Sequence, residues 1–312
     1  MIDTRKVAVI GCGFVGSACA FTLMQHGLFS EMVLIDLDKA RAEGEAMDIS
    51  HGLLFAKPMN IYAGTYADAT DADIAIVTAG ANQKPGETRL DLVRKNSKIL
   101  ISILEELKKC NFSGILLIVS NPVDILTRVA QIYSGLPEGR VLGSGTVLDT
   151  ARLKYLLGEH LSVDSRGVHA FIIGEHGDSE IAVWSSANVS GVPMHQFCEM
   201  RGFYDHDNAM REIGENVKNS AYAIIERKGA TYYGIAMAVQ RICEAVVRDE
   251  KSILPVSAAL HGEFGIDDAT LSVPSVLGAN GVEKVVPISL SETELTRLRY
   301  SADMLKGIFA EL

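Results

Sequence analysis

Cysteine is scarce in this 312-residue sequence. Cys12, Cys19, Cys110, Cys198 and Cys243 are widely spaced, odd in number and form no Cys-x-x-Cys pair. That scatter excludes a disulfide framework and a zinc knuckle. No apolar run approaches the ~18 residues needed to span a bilayer. The segment Met1 to Ile10 has neither the apolar region nor the small-residue cleavage site of a signal peptide, so a cytoplasmic, membrane-free protein is expected. Basic residues are outnumbered, 29 Lys plus Arg against 39 Asp plus Glu, and the formal net charge of −10 is the opposite of a nucleic-acid binder's footprint. Internal repeats, low-complexity tracts and Pro-rich linkers are also missing.

What is present reads as an ordinary globular chain, with 48% hydrophobic and 22% charged residues. At ~150 residues per domain the length suggests two domains. From Lys6 onward, short β-branched runs alternate with helical patterns: KVAVI, Phe14 to Gln25, MVLID, a helical stretch through Met47, IAIVTAG, and Leu90 to Cys110. Such alternation predicts parallel strands joined by crossover helices. ILLIVS, at Ile115 to Ser120, is apolar on consecutive residues, as a strand covered on both faces should be. After about Gly143 the character changes. The helical ARLKYLLGEHL leads into VHAFIIG and IAVWSSANV, then two helical segments between Asn208 and Val247. ILPVSAAL, LSVPSVLG and VEKVVPISL follow and suggest an antiparallel meander, and Ser291 with Glu294 forms a capping box for a terminal helix. The expected architecture is α/β: a doubly wound parallel (Rossmann) domain over 1–143, then an α+β substrate-binding domain with antiparallel sheet over 144–312.

Gly11-Cys12-Gly13-Phe14-Val15-Gly16 follows the first strand directly and opens a helix. The first glycine permits the turn, the second lets the backbone approach a pyrophosphate, and the third packs helix against strand. Asp36, twenty residues beyond Gly16 at the end of the next strand, can accept from both ribose hydroxyls and would repel a 2′-phosphate. NAD is therefore the expected cofactor.

In the second half, His176 lies in IIGEHGDSE, where an apolar strand runs into a turn bracketed by Gly174 and Gly177. An imidazole there suits general acid–base work, and equally suits a histidine satisfied within its own turn. Asp149 and Arg152 sit three apart at a helix start, on one face. The pair could orient an imidazole and grip a carboxylate, or form a surface ion pair. The stretch from Ala79 to Arg89 follows a strand at its carboxyl end, where it could act as a lid or remain a solvated loop. Asn121, in Ser-Asn-Pro, could meet nicotinamide or a substrate oxygen, although Asn-Pro is also a common turn dipeptide.

Taken in order, GCGFVG, VLIDLD, GANQKPGETRLDLV, SNPVD, LDTARLKYLL, GEHGDSE and KGATYYGIA make the chain resemble bacterial L-lactate dehydrogenases of the lactate and malate dehydrogenase family. The resemblance runs from Lys6 to the terminal helix. It implies reversible reduction of pyruvate to L-lactate by NADH, with no metal. His176 then matches the proton donor and acceptor, Asp149 its carboxylate partner, and Arg152 the arginine that binds the substrate carboxylate. Arg89 matches a loop arginine that polarises the carbonyl, Asn121 a positioning amide, and Thr231 a small polar residue beside the substrate. Gln83 stands where the family's malate dehydrogenases commonly carry a second arginine, which favours pyruvate over oxaloacetate.

Bacterial members often bind fructose 1,6-bisphosphate across a subunit interface, at positions matching Lys154 and His169 here. Lys154 offers a point charge where activated members usually have an arginine fork. The alternative is a lysine exposed on its helix and a histidine buried in its strand. A homotetramer is expected from the bacterial family. Rival readings are a dehydrogenase for a bulkier 2-hydroxy acid or malate, and an NAD-binding sensor without catalysis. The second would have shed the reactive set, which is present. A metal-dependent NAD glycosidase needs Cys and His ligands, and no cysteine here lies beside a histidine.

Overall fold

The computed structural model describes residues 5–81, 86 and 88–312, and of Arg89 the backbone alone. In the N-terminal half, β1 (Lys6–Ile10), α1 (Phe14–His26), β2 (Glu31–Ile35), α2 (Lys39–His51), β3 (Asn60–Ala63), β4 (Ile74–Val77), α3 (Arg89–Lys109), β5 (Ile115–Ile118), α4 (Val123–Tyr133) and β6 (Val141–Gly143) follow one another. All six strands pair in parallel in the order β3-β2-β1-β4-β5-β6, the doubly wound arrangement expected. The continuous apolar runs have a direct cause. Along β1, Val7 and Val9 face one hydrophobic core while Ala8 and Ile10 face another on the opposite side of the sheet. Ile74 and Ile76 against Ala75 and Val77 repeat that division on β4. Each such fully buried Val or Ile side chain contributes about 1.5–3 kcal/mol.

The second half runs α5 (Val147–Leu161), β7 (Val168–Ile173), β8 (Ile181–Val189), β9 (Val192–Pro193), α6 (Met194–Met200), α7 (His206–Lys228), α8 (Tyr233–Val247), β10 (Ser252–His261), β11 (Asp267–Gly278), β12 (Gly281–Val285) and α9 (Glu292–Ala310). β7, β8 and β9 form a small antiparallel sheet, and β10 to β12 form the expected meander. This meander is not separate from the first half. Ser257 of β10 pairs with Gly143 of β6, so one nine-stranded sheet runs β12-β11-β10-β6-β5-β4-β1-β2-β3. α8 is also shared, since its Ala236, Val239 and Ile242 join Cys19 and Leu23 of α1 in a single core. The halves are thus fused by a sheet seam and a helix pair, which leaves little freedom between the cofactor edge and the residues of α5 and β7. Ser291 and Glu294 do form the capping box of α9, with Ser291 N–H donating to Glu294 Oε2 at 2.8 Å.

Candidate active site

The carboxyl end of β1 is shaped to admit a dinucleotide. Gly11 adopts φ +100°, and a side chain there would meet the backbone nitrogen of Ala79 at 2.6 Å. At Gly16 a Cβ would stand 1.8 Å from the Gly11 carbonyl oxygen, so α1 can cross this close only on glycine. Among the described residues nothing lies within 4 Å of the corresponding point at Gly13, which leaves the backbone open to approach. Gly13 also caps α1 without a side-chain bond, which leaves the N–H groups of the first turn available to an anion. Phe14 is exposed and Val15 half-buried beside this opening. At the end of β2, Asp36 Oδ2 accepts from Cys12 N at 2.6 Å and Oδ1 from Asp38 N at 2.9 Å, which fixes the carboxylate against the glycine turn. Burial, aided by the Asp36 charge, pushes the Cys12 thiol up to about 12, so no thiolate competes at this edge. The donor set fits NAD.

Gly16→Ala is the sharpest test of that fit. The forced clash should cost about 1–3 kcal/mol of stability and weaken NADH binding at least about tenfold. Thermal melting and a fluorescence titration with NADH measure the two effects. Native affinity in the variant would mean that α1 does not receive the pyrophosphate.

The reacting groups come from the other half. Thr146 Oγ1 donates to the Ile172 carbonyl at 2.6 Å, and Ile172 N donates to Thr150 Oγ1 at 2.9 Å. These bonds lock the first turn of α5 to the end of β7, and so place Asp149 beside the loop that carries His176. His176 Nδ1 and Asp149 Oδ2 are 2.5 Å apart, and Arg152 Nη1 donates to Asp149 Oδ1 at 2.7 Å. Burial of Asp149 opposes its charge, but His176 and Arg152 outweigh that effect and hold its carboxyl below the usual range. Burial likewise opposes a charged imidazole at His176. The Asp149 charge and hydrogen bond win, and raise it to about 9. The loop is held from below as well: His176 N donates to Asp124 Oδ2 at 2.8 Å, while Asp124 Oδ1 accepts from Ser257 and Ser272 at 2.5 and 2.8 Å. Burial pushes the Asp124 carboxyl up against those three bonds.

His176, Asp149, Arg152 and Asn121 line one cavity of about 410 Å³. Asn121 follows β5, and its carbonyl accepts from Asn96 Nδ2 at 2.8 Å, while Asn96 Oδ1 accepts from Ala81 N at 2.8 Å. One amide of α3 therefore ties the carboxyl ends of β4 and β5 together. The structure brings together the imidazole, its carboxylate, the guanidinium and the positioning amide. Thr231, in the α7–α8 connection, does not line this cavity; its neighbour Tyr232 stacks on Phe14 with ring centroids 5.5 Å apart. Gln83 lies outside the described residues, and Arg89 is placed only as the first backbone position of α3, after the Thr88 cap. Lys154 and His169 sit on α5 and β7, which pack together. Lys154 is half-buried rather than exposed, and His169 is exposed rather than buried, because its position points away from the core that takes Val168 and Ala170.

Two carboxylates of the site were not singled out from the sequence. Asp124 in SNPVD is flanked by Val123, Ile125 and Leu126, and an acid in such a run is a signal of a buried, bonded group. Glu180 closes GEHGDSE and lines the same cavity, 3% exposed. Lys218 and Tyr222 of α7 complete its wall. Among the described residues no helix is long and apolar enough to cross a membrane.

With this geometry in place, comparison with known proteins is informative. Residues 5–143 match the family model for the lactate/malate dehydrogenase NAD binding domain, and residues 146–312 match that for the alpha/beta C-terminal domain of the same family. The chain is 52% identical over 308 residues to the L-lactate dehydrogenase of Acetivibrio thermocellus, covering 99% of this chain and 97% of the relative. It is 53% identical over 303 residues to that of Priestia megaterium, covering 97% and 95%. Among solved structures, the minor L-lactate dehydrogenase of Enterococcus mundtii in its ligands-bound form superposes with a TM-score of 0.96 at 43% identity, covering 99% of this chain and 98% of that one.

Proposed function

The chain belongs to the lactate/malate dehydrogenase family, and on that premise we infer that it is an NAD-dependent L-lactate dehydrogenase. The observation that carries the reading is the convergence of His176, Asp149 and Arg152 in one cavity with Asn121, at the carboxyl edge of the parallel sheet. When bound, the nicotinamide supplies the hydride. The chain's own residues do the rest. Arg152 has one Nη committed to Asp149 and further donors available for the carboxylate of pyruvate. Because Nδ1 of His176 is held by Asp149, the transferable proton sits on Nε2, toward the substrate carbonyl. Asp149, kept ionised, steadies the imidazolium until the proton leaves. Polarising the carbonyl is assigned to Arg89 and excluding water to the segment 79–89, roles that the family resemblance implies.

The raised proton affinity of His176 sets a pH dependence. Pyruvate reduction needs the imidazolium, so kcat/KM for pyruvate should be flat below the folded value of about 9 and fall about tenfold per pH unit above it. Lactate oxidation needs the neutral ring and should rise over the same window. Steady-state profiles from pH 6 to 10.5 check this, and an inflection at the ordinary histidine value near ~6.5 would contradict the pairing with Asp149.

Substrate choice is assigned to Gln83. Pyruvate brings one carboxylate, matched by Arg152, whereas oxaloacetate brings a second with no counter-ion at that amide. An unbalanced charge in a closed site costs ~3 kcal/mol or more, about a hundredfold in rate ratio. Gln83→Arg should therefore shift the pyruvate-to-oxaloacetate ratio of kcat/KM toward oxaloacetate by about two orders of magnitude. An unchanged ratio would remove Gln83 from the specificity argument. Bisphosphate activation through Lys154 and His169, in a homotetramer, is the regulatory proposal. Pyruvate saturation curves that do not move on adding fructose 1,6-bisphosphate would end it.

A further inference from the structure

Glu180 has an environment that the mechanism above does not use. It is 3% exposed, and its Oε1 is buried without a hydrogen-bond partner among the described residues. One side-chain oxygen of Glu180, one of Asp149 and one ring nitrogen of His176 all lie within 4.8 Å of one another. A buried carboxyl oxygen left unbonded is unfavourable, and the imidazolium of His176 is close enough to compensate it.

The surroundings decide what such a group can do. Facing it are Asp149 and Arg152 from α5, Lys218 from α7, Arg297 from α9, and His176 on its own loop. Arg297 Nη2 donates to the Glu180 carbonyl at 3.4 Å, and Lys218 Nζ donates to the Asp178 carbonyl at 3.0 Å. On its other side Glu180 borders a second cavity of about 480 Å³, onto which His195 of α6 and His206, Asp207, Arg211 and Glu215 of α7 open. Burial, reinforced by the Asp149 charge, pushes the Glu180 carboxyl up to about 8, below the imidazolium at about 9. Once ionised, the Glu180 carboxylate places a second negative charge, besides that of Asp149, close to the His176 ring.

Resting on the reading of His176 as the proton donor, we propose that Glu180 is a positioning residue: its ionised carboxylate, across the wall it shares with Asp149, holds the proton on His176. The consequence is a donor that stays charged further into the alkaline range than Asp149 alone allows. Two groups whose sites interact this closely titrate as a pair, so removing the carboxylate must move the remaining step.

The test is a titration of the full chain without cofactor, labelled with carbon-13 at histidine Cε1, with the His176 signal identified by its loss in His176→Asn. Glu180→Gln should lower the His176 midpoint by about one pH unit, and the alkaline limb of the pyruvate kcat/KM profile should move down in pH by the same amount, a loss of about fivefold at the native midpoint and about tenfold well above it. Glu180→Asp, which restores the charge, should return the midpoint most of the way. If Glu180→Gln fails to fold, the smaller uncharged Glu180→Ser gives the same readout. A purely structural role would lower the activity plateau and leave both midpoints where they are. An unmoved or raised midpoint in a folded uncharged variant overturns the proposal. Failure of the native chain to reduce pyruvate would instead overturn the functional reading, and the nuclear magnetic resonance titration would still report on Glu180.

Discussion

His176→Asn is expected to lower kcat for pyruvate reduction by about 10²–10⁴-fold while NADH affinity stays near native. The loss follows from geometry. Nδ1 of the ring is committed to Asp149 at 2.5 Å, so the other nitrogen is the one oriented into the cavity, and asparagine has no proton of comparable acidity to put there. NADH affinity is spared because the glycine turn and Asp36 are built on β1, α1 and β2. Asp149 retains Arg152 as a partner, so the variant should fold. Stopped-flow measurement of a single turnover separates the chemical step from binding. A variant that turned over at native speed would require another proton donor.

Arg152→Lys is expected to raise KM for pyruvate by about 10²–10³-fold, equivalent to roughly 3–4 kcal/mol. The guanidinium serves two acceptors at once: one arm donates to Asp149 Oδ1 at 2.7 Å, and the others face the cavity. A lysine ammonium is a point charge that cannot span both in a fixed plane, so the substitution keeps charge and loses the fork. Because Asp149 would then lose part of its compensation, a smaller fall in kcat should accompany the KM change. Steady-state kinetics with pyruvate, set beside a direct NADH titration, distinguish these effects. A KM within about twofold of native would remove Arg152 from the carboxylate site.

The fold was legible where one physical cause dominates. The parallel strands announced themselves because β1, β4 and β5 are buried on both faces and so carry apolar residues without interruption. β3 was not read: NIYA is a four-residue edge strand, half-exposed, with no periodic signal. The seam between β6 and β10 was invisible for a different reason. It rests on one pairing, Ser257 with Gly143, between segments more than a hundred residues apart, and no local pattern encodes such a contact.

The site divides in the same way. His176 and the Asp149–Arg152 pair could be picked out because a histidine between glycines and an i,i+3 ion pair are local features. Asp124 and Glu180 lay in motifs already noted, yet their roles depend on burial: one is wrapped by Ser257, Ser272 and the backbone of His176, the other is left with an unbonded oxygen. Side-chain type does not show that difference. The exposure of His169 likewise depends on which face of β7 meets the core, a matter settled by α5 and β8 rather than by β7 itself.

The most direct test of the central claim is NADH oxidation by the native chain with pyruvate and with oxaloacetate, side by side at neutral pH. A single guanidinium gripping a single carboxylate beside the His176 proton predicts kcat/KM at least about a hundredfold higher for pyruvate. Equal rates, or a preference for oxaloacetate, would contradict it.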